Sequence, residues 1–406
     1  MMVFRLVFLL IFFFSVVHIH GQPIRLLKQG CIKQNDFIEE VSVQNYLDLL
    51  LVNVGIGGQD YTFMFDTGAD ISVISKDIIS DLNLQPEKHC TIEDSKNRKH
   101  RTELLALPEI VIGNISFHST AAAVEDLEPL NTILSCIEID GIIGNNLIRL
   151  ASWQIDYSQS ILRITDRPEK LTVADNAIKV PLHMGTLGSA KIDVEYNGIK
   201  DRLTFDTGSN GDISTSMKVF GKLMHADKDF QFAKASGDQS GGLYGSRQGD
   251  TWHGYISELY LNEYHAKNRI VKFEKDAAKT IGNRFFKSFV VTMDLESSLL
   301  YLEQVKPMTC EPITTYGFEF KPDYSSNGFR IGVVWEELNT NFNFPKLGSR
   351  VVRINDVDLT QLSKDDFCQY LKEDINQKFT GQINLVINED GIERTVTVDK
   401  TQILPQ

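Results

Sequence analysis

Residues 63–75 read FMFDTGADISVIS and residues 203–214 read LTFDTGSNGDIS. Both place Asp-Thr-Gly straight after an apolar, β-prone run and before a small residue. Each aspartate therefore ends a strand and enters a loop that glycine allows to turn tightly. Two more markers recur downstream in the same order. Gly141-Ile142-Ile143-Gly144-Asn145 follows Asp66, and Lys279-Thr280-Ile281-Gly282-Asn283 follows Asp206 at nearly the same distance. Trp153-Gln154-Ile155-Asp156-Tyr157 is echoed by Val291-Thr292-Met293-Asp294-Leu295, and each runs into an apolar stretch, 161–164 and 299–302. Recurrence of this kind means two copies of one β-rich unit, over residues 40–165 and 175–303.

Paired aspartates on matched loops have a definite chemistry. Two carboxyls close enough to share a proton cannot both ionise easily, so one stays charged and the other protonated. The charged one takes a proton from water while the other donates towards a carbonyl oxygen. Such a pair hydrolyses an amide with no metal, no cofactor and no covalent intermediate.

These motifs resemble those of the retropepsin and pepsin-like aspartic peptidases. The first copy, DTGAD with IIGNNL, is similar to the retroviral side, and the second, FDTGSN, to the pepsin side. The resemblance covers about 260 of the 406 residues. It implies a mainly β, bilobal fold with one double-ψ β-barrel lobe over 40–168 and a second over 172–303. It also implies an aspartic endopeptidase in which Asp66 and Asp206 are the catalytic pair and a peptide or protein is the substrate. Thr67, Gly68 and Ala69, with Thr207, Gly208 and Ser209, would form the two active-site loops, each threonine reaching across to the opposite loop. Ile142, Ile143, Gly144, Ile281 and Gly282 would pack beneath them, and Asp70 would be structural. Asp156 and Asp294 read as turn aspartates rather than catalytic ones.

Flaps should close over substrate between each Asp-Thr-Gly and its Gly-Asn partner. In the first lobe the charged stretch 93–103 is the candidate; it carries no aromatic, unlike the flap of pepsins. Its run 96–101 reads as a solvated hairpin tip. In the second lobe the Gly-rich stretch SGGLYG at 240–245 suits a mobile loop, with Gly242 and Tyr244 as flap candidates. One asymmetry bears on the proton. Ser209 offers a hydroxyl to Asp206, whereas Ala69 offers none to Asp66, so Asp206 is expected to be the more readily ionised and Asp66 to hold the proton.

Beyond the prolines Pro307 and Pro312 the pattern changes. Strands at 318–320, 329–335, 350–354, 383–387 and 395–398, with a helix over Lys364–Lys372, resemble a PDZ domain over residues 314–402. That resemblance makes Tyr316, Gly317 and Phe318 the candidates for receiving a C-terminal peptide ligand by strand addition. The stretch 339–345 stands where that family has a small helix.

The bulk numbers set the frame. A net charge of −13 argues against a nucleic-acid surface. The only continuous apolar run, LVFLLIFFFSVV at 6–17, follows a short basic start and is too short to span a bilayer. It reads as a signal peptide over residues 1–21. The mature chain is then exported, periplasmic or secreted, with no transmembrane segment. The pairing of retropepsin-like and PDZ-like parts is similar to exported peptidases of bacteria. Five cysteines without close spacing read as scattered structural residues, one of them at least unpaired within the chain. The competing readings are a catalytically silent peptide-binding protein of the same fold, and a PDZ-led scaffold whose lobes are structural. The intact Asp-Thr-Gly pairs weigh against both.

Overall fold

The computed structural model describes residues 21–93, 98–239, 241–275, 278–338 and 344–405. The apolar N-terminal run, the 94–97 tip of the charged hairpin, Ser240 and most of 339–345 lie outside them. The fold is mainly β.

The first repeat starts from a near-continuous apolar strand, Leu49–Ile56, which turns back through Gly57 and Gly58 into Gln59–Phe65. Both glycines have positive φ, as a two-residue hairpin turn requires. The second repeat makes the same hairpin with Ala190–Tyr196 and Ile199–Asp206 through Asn197 and Gly198, again at positive φ. Each aspartate leaves the second strand of its hairpin. Gly141–Ile143 then lies parallel to Gln59–Phe65 and antiparallel to Ser72–Ser75. Thr280–Gly282 does the same against Ile199–Asp206 and Ile213–Ser216. The two sheets share one strand order, so the sequence repeat is also a structural one.

A six-stranded sheet joins the repeats from below. At its centre Ser152–Asp156 pairs with Phe289–Asp294, placing Trp153 opposite Met293 and Ile155 opposite Val291. A single apolar core runs through both lobes, packed around Phe65 on Trp153 and Phe205 on Phe286. Asp156 and Asp294 cap the turns that follow: Asp156 accepts the Ser158 and Gln159 amides, and Asp294 accepts that of Ser297.

The C-terminal domain has its own core, with Phe318, Phe329, Ile331, Ile354, Phe367 and Leu385 among its members. Among the described residues, a sheet junction with the apolar cluster around it and a disulfide tie it to the lobes. Gly328–Trp335 pairs with Phe232–Asp238, so the sheet of the second repeat runs on into this domain. Gly237 permits that approach: at φ 139° a Cβ there would stand 2.2 Å from the Gly332 carbonyl oxygen. The other link is a disulfide between Cys136, just after the helix Glu128–Leu134 of the first repeat, and Cys368, in the helix Lys364–Lys372.

That bridge closes a loop of 232 residues, and on chain-entropy grounds it removes up to about 5 kcal/mol of unfolded-state freedom. Calorimetric scans of the C136S/C368S variant should therefore show a lowered midpoint for the transition that melts the C-terminal domain. An unchanged midpoint would mean that the sheet junction alone holds the domain.

Candidate active site

The Asp66 amide donates to the Ile143 carbonyl at 3.0 Å, and Ile281 and Gly282 pair with Phe205 and Asp206. Ile142, Ile143 and Ile281 are thereby buried directly beneath the two loops. Gly144 and Gly282 are pressed against the turns: a Cβ on Gly144 would lie 2.6 Å from the Ile71 carbonyl carbon, and one on Gly282 2.6 Å from the Ser209 carbonyl oxygen.

The loops meet through their threonines, both buried. Thr67 Oγ1 donates to the Phe205 carbonyl (2.8 Å) and accepts the Thr207 amide (3.0 Å). Thr207 Oγ1 donates to the Phe65 carbonyl (2.7 Å) and accepts the Thr67 amide (3.0 Å). Behind them, the side-chain amide of Asn145 donates to the Thr67 and Ala69 carbonyls (2.7 and 2.9 Å). That of Asn283 donates to the Thr207 carbonyl (2.6 Å). The motif reading assigns these asparagines no role, although the recurring Gly-Asn pair was the available signal. Tyr157, half-buried at the lobe interface, donates its hydroxyl to Asn283 Oδ1 at 2.8 Å and couples the second support to the first repeat.

Held in this way, each carboxyl lies beside the opposite loop and interacts with the other. Each glycine packs against the opposite aspartate. A Cβ on Gly68 would fall 2.3 Å from Asp206 Oδ1, and one on Gly208 2.3 Å from Asp66 Cγ. Asp66 Oδ1 accepts the Gly68 and Ala69 amides (2.8 and 3.0 Å), and Asp206 Oδ1 accepts that of Gly208 (3.0 Å).

Loss of solvent pushes both carboxyls above the ordinary carboxylate range. Asp206 rises well above it, because the neighbouring Asp66 charge adds to its desolvation. The Gly68 and Ala69 amides hold Asp66 lower. The two carboxyls therefore share one proton and titrate as a unit. The Ser209 hydroxyl makes no hydrogen bond to Asp206; its oxygen accepts the Gly211 amide at 3.4 Å.

The pair lines a cleft of about 1920 Å³. The stretch expected to form the first flap is an antiparallel hairpin, Lys88–Glu93 with Lys99–Ala106. Gly242 and Tyr244 lie in the loop between Phe232–Asp238 and Gln248–Leu261, where Gly242 and Gly245 exchange backbone bonds. Tyr244 supplies the aromatic that the first hairpin lacks: its ring stands 5.5 Å from that of His100. Arg98, expected to be solvated, is half-buried and donates to the Tyr244 and Gly245 carbonyls. The Asp70 carboxylate is exposed and makes no bond to a described residue, so its assigned structural part falls to its carbonyl, which accepts the Asn146 amide at 3.2 Å. Asp212 instead pairs with the buried Arg269, whose guanidinium also donates to the Thr309 carbonyl of the connector (2.9 Å).

Of the residues expected to receive a peptide, Tyr316 and Phe318 line the same cleft. Tyr316 and Phe318 are buried, and Gly317 gives its amide to Thr315 Oγ1 (3.1 Å) beneath the ring of Phe344. On the strand Phe318–Asp323 the Phe320 amide donates to Asn376 Oδ1 (2.7 Å), and the Phe320 carbonyl accepts from Asn376 Nδ2 (3.2 Å). On the edge that strand addition would use, both backbone groups of Phe320 are thus met by Asn376.

Residues 52–147 match the family model described as aspartyl protease, and no curated protein matches the chain. The match covers the first Asp-Thr-Gly loop and its Gly-Asn partner, and it supports peptidase chemistry.

Thr207→Ala would leave the buried Thr67 amide and Phe65 carbonyl without their partner. A loss of about 1–3 kcal/mol in unfolding free energy follows, and Thr207→Ser should restore most of it in denaturant titrations. The pair keeps a proton in the folded chain that the unfolded chain releases above the ordinary carboxylate range, so stability falls as pH rises from that range towards the raised folded value. Asp206→Asn abolishes this loss. Its melting temperature should exceed that of wild type at neutral pH, with the gap closing as the medium is acidified. Equal melting temperatures throughout would show that the folded pair holds no such proton.

Proposed function

We infer that this chain is an exported aspartic endopeptidase of retropepsin-like, single-chain, two-lobed design. One observation carries the reading: two opposed carboxyls, locked by reciprocal threonine bonds, at the meeting point of two repeats that line one large cleft. Asp66, charged and steadied by two amides on one oxygen, takes the proton from an attacking water. Asp206, kept protonated by desolvation and by its neighbour's charge, donates towards the substrate carbonyl oxygen as the tetrahedral centre forms. The amides of Gly68 and Gly208 each bond the carboxyl of their own loop, and their missing side chains leave room for the opposing group.

The two flap elements suit an extended peptide lying between them and the aspartates. Export is supported by the apolar run near the N-terminus and by the Cys136–Cys368 bridge, which belongs to an oxidising compartment. The C-terminal domain is PDZ-like in its order of elements. We assign it to the wall of the cleft rather than to peptide capture, because Asn376 and Phe344 already meet its receiving edge and loop.

The test is hydrolysis of a mixed peptide library from pH 3 to 8 by wild type and Asp66→Asn. Loss of one member of an acid–base pair should lower kcat by about 10²–10⁴-fold, and a statine-type transition-state analogue should block the residual wild-type activity. A wild-type chain that binds the analogue yet cuts nothing at any pH would mark a peptide-binding protein instead.

A further inference from the structure

We propose that Arg98 is a positioning residue that clasps the roof of the cleft shut from one repeat to the other; its bearing on catalysis rests on the peptidase reading above. Arg98 lies just before the returning strand Lys99–Ala106 of the first hairpin. Its Nη1 donates to the Tyr244 carbonyl at 2.6 Å and its Nη2 to the Gly245 carbonyl at 2.9 Å. The guanidinium carbon also stands 5.8 Å from the centre of the Tyr244 ring. A planar fork with two parallel donors fits two adjacent carbonyls, and a lysine cannot reproduce that fit.

The loop that receives this fork is gripped from other sides as well, each time by the first repeat. His100 meets the Tyr244 ring edge-on at 5.5 Å, and its Nδ1 lies 3.2 Å from Oε1 of Glu125, a carboxylate buried in the strand Ala121–Glu125. Leu243 packs on the apolar group that contains Leu130 and Leu134. A Cβ on Gly241 would lie 2.7 Å from Ile133 Cδ1, so the backbone presses on that helix. A loop of the second repeat is thus fastened at both ends to the first, while 241–243 and the strands of the hairpin line the cleft that holds Asp66 and Asp206.

A polypeptide bound in the cleft lies against both elements that Arg98 ties together. Closing from both repeats at once holds the scissile bond against the dyad, and a near-attack placement of this kind is sensitive to small displacements.

The experiment compares wild type, Arg98→Ala and Arg98→Lys by hydrogen exchange and by kinetics on an extended peptide that wild type cleaves, after melting curves have shown that each variant is folded. Arg98→Ala should lose amide protection in both 99–106 and 241–251, with kcat/KM down about 10-fold or more; Arg98→Lys should recover only part of each. Loss of protection confined to 99–106, or to neither segment, overturns the clasp. Protection lost in both segments with kcat/KM unchanged overturns the positioning role. If wild type cleaves nothing while Arg98→Ala loosens both segments, the clasp stands and the peptidase reading falls.

Discussion

The reciprocal bonds between Thr67 and Thr207 are the constraint on which the other parts depend. Two carboxyls brought into contact repel as anions and must be held together by something other than their own attraction. Each threonine hydroxyl here donates to a carbonyl and accepts an amide of the facing loop, giving four buried bonds of 2.7–3.0 Å between loops that are 140 residues apart. Such bonds cost much if one partner is lost, because the other is stranded away from water. They therefore fix the separation of the aspartates more stringently than apolar packing could. The shared core, the six-stranded sheet and the Gly-Asn supports all serve to present these two loops at one height and in one orientation.

Within that near-symmetric frame the two halves differ where chemistry needs a difference. Asp66 Oδ1 accepts the Gly68 and Ala69 amides, while Asp206 Oδ1 accepts that of Gly208 and Asp206 also feels the Asp66 charge. The supports differ too. Asn146 accepts from both the amide and the hydroxyl of Ser72 and donates to the Ala121 carbonyl, wholly inside the first lobe. Its counterpart in the second lobe is Arg284, which reaches outward and, with Lys287, pairs with Asp48 of the first lobe. One half is braced internally and the other is braced against its neighbour.

The parts of this arrangement that were legible in the sequence are those fixed by local rules. The strand–Asp-Thr-Gly–strand pattern, its recurrence, the turn aspartates Asp156 and Asp294 and the helix over Lys364–Lys372 follow from periodicity, turn chemistry and repeat spacing. What escaped depends on partners far along the chain. Arg98 sits in a run of charges that normally faces water, and only the approach of a loop 146 residues later gives it carbonyls to hold. The Ser209 hydroxyl has a rotor, and whether it serves Asp206 or the Gly211 amide is settled by the turn, not by composition. The pairing of Cys136 with Cys368 required knowing that the C-terminal domain lies beside the helix Glu128–Leu134.

In the C-terminal domain the strand Phe318–Asp323 has partners for both backbone groups of Phe320. A strand edge recruits a peptide because its amides and carbonyls lack partners. At Phe320 both groups are met by one carboxamide, that of Asn376, which presents a donor and an acceptor much as a peptide bond would. An incoming strand would have to displace those bonds before gaining its own, which weakens its net attraction. The opposite side of the same domain is bonded into the sheet of the second lobe, through the strand Phe232–Asp238 that leads directly into the loop clasped by Arg98. The disulfide fastens its helix to the segment that follows Glu128–Leu134, and that helix carries Ile133, on which Gly241 rests. This domain is thus joined to both segments that carry the cleft's roof, the strand before the clasped loop and the helix beneath it.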